Sequence, residues 1–104
     1  MWVPETIWKV IRKWIPMPCV DIMVFNDKEE FLLLKRNNKP FKGEWWIPGG
    51  KIKKGDFPLE EFAIKKVKEE TGLDVEIVKM IGLFYYSYGD EGDEWTEENL
   101  AVSF

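Results

Sequence analysis

The 104-residue chain has no histidine, no glutamine and a single cysteine, Cys19. Without histidine it lacks the usual near-neutral acid–base group and the commonest zinc ligand. One cysteine excludes an intrachain disulfide and any multi-cysteine metal centre. Cys19 lies in an apolar run, which reads as a buried, inert thiol. No apolar stretch approaches the roughly eighteen residues of a membrane span, and no secretory leader is visible. A cytoplasmic protein with no membrane partner is therefore expected. Excess positive charge is also missing. The net charge of −4 argues against a nucleic-acid partner. There are no repeats or low-complexity segments.

What is present describes one small globular domain. Hydrophobic residues make up 45% of the chain and aromatic residues 15%. Residues 4 to 14 read as a helix, with Pro4 in its first turn. Ile7, Val10, Ile11 and Trp14 form its apolar stripe, and Trp2 and Trp8 add aromatic surface. Packing against the rest of the chain is the simpler role for this stripe, and a homodimer contact is the sharper one. Pro16-Met17-Pro18 ends the helix as a stiff linker, dividing an N-terminal helix (1–15) from the main domain (16–104). Strands are expected from Cys19 to Phe25 and from Glu30 to Arg36, joined by a turn at Asn26-Asp27-Lys28. A polar loop spans Asn37 to Gly43. Residues 74 to 88 read as one long strand, or as two broken near Gly82. Tyr85, Tyr86 and Tyr88 are half-buried strand aromatics by default, with the substrate side as the alternative. An acidic turn covers Gly89 to Glu94 and lacks EF-hand spacing. A last strand runs from Glu97 to Phe104.

The stretch Gly49 to Leu73, GGKIKKGDFPLEEFAIKKVKEETGL, organises the rest. A paired-glycine turn follows Trp45-Trp46-Ile47-Pro48; one of these tryptophans faces the site while the other packs in the core. Next come a short basic strand, a turn at Gly55-Asp56 and an amphipathic helix. Leu59, Phe62, Ala63 and Val67 form the helix's apolar face. Asp56 is placed to cap its N-terminus and Gly72 its C-terminus. Glu69 and Glu70 stand on the last turn, with Lys66 three and four residues before them. Adjacent carboxylates repel unless a cation lies between them. Hard oxygen ligands of this kind suit Mg²⁺ or Mn²⁺ shared with substrate phosphates. A solvated helix end is the plainer alternative.

This stretch resembles the Nudix hydrolase signature. Gly50 is followed by five residues and then by Asp56, where the family has Glu. Eight residues, against the family's seven, separate Asp56 from Lys65, with Pro58 as the extra one. Lys65-Lys66 replaces Arg-Glu, while the opening PGG and the closing EETGL are intact. The resemblance implies an α/β Nudix fold, a mixed sheet sandwiched between helices. It also implies a Lys65–Asp56 ion pair in place of the family's Arg–Glu pair. Lys66 stands where the family has a metal-binding Glu, so one divalent ion is implied in place of two or three.

The altered signature is similar to that of the GDP-mannose mannosyl hydrolase branch, which uses one metal. Pro18 to Ile22, Glu30 to Pro40 and Gly43 to Lys51 resemble that branch upstream of the signature. The implied substrate is a nucleoside diphosphate sugar. The implied metal ligands are the Gly50 carbonyl, Glu69 and Glu70, with Mg²⁺ or Mn²⁺ as cofactor. Arg36 and Glu70 are the implied catalytic residues, and Asp21, Arg36 and Lys51 the implied substrate contacts. An ordinary Nudix pyrophosphatase and a non-catalytic Nudix-like binding module are the alternatives. Nudix domains are usually longer, so a missing C-terminal part is expected. In the branch that part carries a metal ligand and the general base, which implies a chain that either folds poorly or binds metal without turning over.

Overall fold

The computed structural model describes residues 3–37, 42–88 and 97–104. Its elements are α1 (Glu5–Trp14), β1 (Met17–Asp21), β2 (Leu34–Lys35), β3 (Trp45–Trp46), β4 (Gly49–Lys51), α2 (Leu59–Thr71), β5 (Gly82–Tyr88) and β6 (Glu97–Ser103). They form the expected α/β architecture. A mixed sheet has the order β4-β1-β6-β5, and β2 and β3 make a separate ribbon. β1 is antiparallel to β4 and parallel to β6, and β6 is antiparallel to β5.

The two helices lie on opposite faces of this sheet. A Cβ added at Gly50 would run into Lys66 of α2. The Lys51 ammonium sits 5.6 Å from the ring centroid of Trp8 in α1. Neighbouring strand residues point to opposite faces, so the sheet is sandwiched at β4. The core lies on the α2 side and joins Val20, Ile22, Phe62, Ala63, Val67 and Phe104, with Leu59 packed against it. The apolar face expected of α2 is thus the face that is buried. Gly72 ends the helix in the left-handed region, at φ 78°, and its N–H bonds to the Lys68 carbonyl.

The start of α2 differs from expectation. Pro58 is the N-cap residue, and no side chain caps the helix. The extra residue moves the first turn beyond the reach of Asp56. Its carboxylate accepts the Lys53 N–H at 2.7 Å and lies 3.6 Å from Lys53 Nζ, closing the turn through Gly55. The expected Lys65–Asp56 pair is not among the described ion pairs, and Lys65 instead lies 3.9 Å from Glu69.

α1 also differs, because another of its faces packs. Trp8 is 5% exposed, whereas Ile7, Val10 and Trp14 are half to three-quarters exposed. Trp8 and the Arg12 stem turn inward together, four residues apart, and Arg12 reaches Glu5 at 2.7 Å. One tryptophan buries more apolar area than Ile7 or Val10 would, and that decides the rotation of the helix.

Met17 and Pro18 of the expected Pro-Met-Pro linker belong to β1, and Met17 is fully buried. Proline is tolerated at a strand start, and its fixed φ suits extended backbone. The first two strands are shorter than expected, but ladder-type bonds extend them. Ile22 N–H donates to the Pro48 carbonyl and Leu32 N–H to the Val24 carbonyl. The turn between them is held by the Asn26 side chain, which accepts the N–H groups of Lys28 and Glu30. Residues 74–81 are not a strand, although Val75 and Ile77 pack on the core, and β5 begins at Gly82. The acidic turn and most of the polar loop lie outside the described residues, as do Trp2 and the Tyr88 side chain.

Candidate functional site

The β2–β3 ribbon, the glycine turn and the end of α2 meet around a depression of about 540 Å³. Arg36, Asn37, Trp46, Gly49 and Glu70 are among its walls. Arg36 is held by its backbone. Its N–H donates to the Glu44 carbonyl and its own carbonyl accepts the Gly43 N–H, both at 2.8 Å. Gly43 takes the positive φ of 90° that this turn needs. The ribbon thereby fixes where the guanidinium starts.

Glu70 comes from the last turn of α2. Burial raises its carboxyl above the ordinary range. The Lys66 charge opposes this, as do the Gly49 N–H donated to the carboxylate and the Arg36 charge, while Glu69 adds to the rise. Glu69 is half-exposed, with Oε2 3.8 Å from Lys66 Nζ. Lys66 crosses from the helix to lie over Gly50.

Asp21 stands behind this group. A Cβ at Gly49 would lie 2.8 Å from Asp21 Oδ1 and would collide with the Val20 carbonyl. Asp21 Oδ2 accepts the Tyr86 hydroxyl at 3.2 Å. Burial raises the Asp21 carboxyl, and the Tyr86 bond partly offsets the rise. The Tyr86 ring in turn lies 6.4 Å from that of Trp46.

Of the sequence-predicted residues, Arg36, Glu70 and the glycine turn come together, with Glu69 joined to them through Lys66. Asp21 adjoins Gly49 from behind. Lys51 points to the other face of the sheet, over Trp8, and is not on the wall of the depression. Neither Trp45 nor Trp46 packs in the core. Both are exposed, and Trp46 is the one that lines the depression.

The Gly49 N–H and the Tyr86–Asp21 bond escaped sequence reasoning, which offered the substrate side to Tyr86 only as an alternative. The first was within reach of it, because a strand entering through two glycines leaves backbone groups uncovered. The second depends on the β5–β6–β1 pairing, which no local pattern reveals.

The carboxylates around the turn are those of Glu69 and Glu70, while Gly50 is paired with Val20 in the β1–β4 ladder. Among the described residues, no three Asp, Glu, Cys or His side chains converge on one point. This oxygen set fits a single hard ion whose other ligands come from phosphate or water. The Lys66 ammonium already supplies one positive charge beside it.

These features have counterparts in known proteins. The NUDIX domain family matches residues 15–104. The low-salt glycan biosynthesis protein Agl8 of Haloferax volcanii is 33% identical over 104 residues, covering 98% of this chain and 65% of that protein. An ADP-ribose pyrophosphatase of Methanocaldococcus jannaschii is 38% identical over 69 residues, covering 66% of this chain and 40% of the enzyme. The chain thus spans less than two thirds of the length of either relative. The crystal structure of a MutT protein from Methanosarcina mazei superposes with a TM-score of 0.69 at 30% identity, over 86% of this chain and 62% of that one. The NUDIX domain of Shewanella oneidensis NrtR, solved with ADP ribose, shares the fold at a TM-score of 0.60 and 22% identity, over 98% of this chain and 70% of that one. A glycine turn closed by a Glu-Glu helix end, on a sheet sandwiched between helices and matched along nearly the whole chain, makes this protein a member of the NUDIX family.

Proposed function

We propose that the protein is a Mg²⁺- or Mn²⁺-dependent hydrolase of a nucleoside diphosphate sugar, of the GDP-mannose type, with residues 16–104 as its hydrolase domain. The observation that carries this reading is the meeting of Arg36, Glu70 and the glycine turn around one depression. Its volume suits a small polar ligand. Arg36 is a planar cation on a pinned backbone, fit to hold a diphosphate in two-point contact and to offset charge on the leaving phosphate. Glu70, with Glu69 and the Gly50 carbonyl, would hold one divalent ion. When bound, that ion supplies Lewis-acid charge to the diphosphate oxygens. Trp46 offers an exposed ring for a base or sugar to lie against. Asp21 accepts the Tyr86 hydroxyl next to that ring and would offer its other oxygen, beside Gly49, to a ligand hydroxyl. Lys51 enters this reading as a substrate contact only if its side chain leaves Trp8. The similarity to a glycan biosynthesis protein supports a sugar-bearing substrate.

A second reading is an ordinary pyrophosphatase that attacks phosphorus. The Glu69-Glu70 pair favours it, and the similar Methanocaldococcus enzyme is named for ADP-ribose. The test is a panel of GDP-mannose, ADP-ribose, dinucleotides and nucleoside triphosphates with Mg²⁺, with the products of the best substrate analysed in ¹⁸O-water. Label in the sugar is expected. Label in a phosphate replaces the first reading by the second, and no turnover of any compound leaves a nucleotide-binding module. A homodimer contact through the exposed stripe of α1 is the alternative to a monomer, and sedimentation distinguishes the two.

A further inference from the structure

We infer that Lys66 is a tethered cation of this site. Its ammonium takes the place of one metal ion, so the protein binds at most one divalent ion at the glycine turn and binds it weakly. The inference rests on the reading of Gly50, Glu69 and Glu70 as the ion's ligands, and goes beyond it.

Position is the first argument. A Cβ at Gly50 would collide with Lys66 Cε and lie 3.2 Å from Nζ. The lysine stem therefore fills the space that the missing side chain of Gly50 leaves open. Lys65, one residue earlier on the same helix, is the internal comparison. Its side chain is 73% exposed, while that of Lys66 is 25% exposed. Both lie within 4 Å of Glu69, so pairing with Glu69 does not explain why only Lys66 is drawn onto the sheet.

Charge is the second argument. Glu69 and Glu70 are consecutive, so two like charges share the last turn of the helix. Lys66 Nζ lies 3.8 Å from Glu69 Oε2, on the same turn as both carboxylates. An ammonium there balances the carboxylates with no metal bound. It also repels a divalent ion approaching the same oxygens. Its N–H groups are donors only, so it can hold a phosphate oxygen as a point charge but cannot ligate a metal.

Calorimetric titration with Mn²⁺ alone tests this on the parent chain and on Lys66→Gln, Lys66→Glu, Lys65→Glu and Glu70→Gln. Melts in chelator show that each variant is folded. Lys66→Gln removes the charge while keeping a polar stem, and should tighten Mn²⁺ binding about tenfold, the scale of one partly exposed unit charge near the ion. Lys66→Glu should bind one Mn²⁺ more than the parent. Lys65→Glu makes the same charge change on solvent and should alter affinity less than about twofold. Equal tightening by Lys65→Glu and Lys66→Glu overturns the inference, because bulk charge would then account for it. Loss of binding in Glu70→Gln with no gain in Lys66→Gln overturns the inference and leaves the metal site standing. Absence of Mn²⁺ binding in every protein, Lys66→Glu included, overturns both. If Lys66→Glu fails to fold, the comparison of Lys66→Gln with the parent decides alone.

Discussion

Glu70 and Asp21 are both carboxyls raised by burial, but they are relieved differently. Glu70 has cations on two sides and the Gly49 N–H beneath it. Glu70→Gln keeps an acceptor for that N–H and loses the charge that attracts a metal. The expected outcome is a fold unchanged within about 0.5 kcal/mol, Mg²⁺ affinity lowered about tenfold or more, and most activity lost. Unchanged metal affinity in calorimetry removes Glu70 from the ligand set. Asp21 is relieved mainly by the Tyr86 hydroxyl. Its folded-state carboxyl is raised, so between pH 3.8 and that raised value the folded chain holds a proton the unfolded chain has lost. Stability contributed by this group therefore falls as pH rises through that window and stays lower above it. Asp21→Asn keeps an acceptor for Tyr86 and removes the buried charge. It should flatten this part of the stability–pH curve and leave neutral-pH stability equal or higher. Urea melts from pH 4 to 7 check it, and a variant with the parent's slope would show that Asp21 does not titrate there.

At the scale of elements, β4 and α2 were legible because their pattern is dense: paired glycines, an apolar face at helical spacing and a glycine stop. α1 was less so. Its residues offer two overlapping faces, Ile7-Val10-Ile11-Trp14 and Trp8-Ile11-Arg12, and periodicity cannot choose between them. Only contact with the sheet selects the second. Trp8→Ala should therefore cost about 3–5 kcal/mol, while Val10→Lys should stay within about 0.5 kcal/mol. Denaturant melts that reverse this order would restore the first face. The two glycines of β4 make a similar contrast. At Gly49 a methyl meets the Val20 carbonyl, which is backbone and cannot yield, whereas at Gly50 it meets the flexible end of Lys66. Gly49→Ala is expected to destabilise by about 1–3 kcal/mol, by prying β4 from β1. Gly50→Ala should cost less and should expel the lysine, tightening Mn²⁺ binding as Lys66→Gln does. The ribbon strands are shorter than their residues suggest, and the 74–81 segment forms no strand. Their residues favour β structure, but strand formation needs a partner edge that the sequence does not name.

At the scale of the whole molecule, the least legible feature is that β6, last in sequence, lies inside the sheet. Its composition announces a strand, but nothing local says that it pairs parallel with β1 and antiparallel with β5. That placement brings Tyr86 to Asp21, and so shapes the back of the site from residues sixty-five positions apart. It also makes Phe104 a joint of the fold. The Phe104 N–H donates to the Asp21 carbonyl, its carbonyl accepts the Met23 N–H, and its ring belongs to the same core as Val20 and Val67. Phe104→Ala keeps both backbone bonds and removes the ring, which should cost about 3–5 kcal/mol. For a domain whose total stability is about 5–15 kcal/mol, that is a large share. Because β6 bridges β1 and β5, the loss should be global. Amide exchange should speed up together in all three strands, and Mn²⁺ should restore protection by binding only the folded chain. Faster exchange confined to the end of β6 would mean instead that β4, β1 and α2 hold together without it.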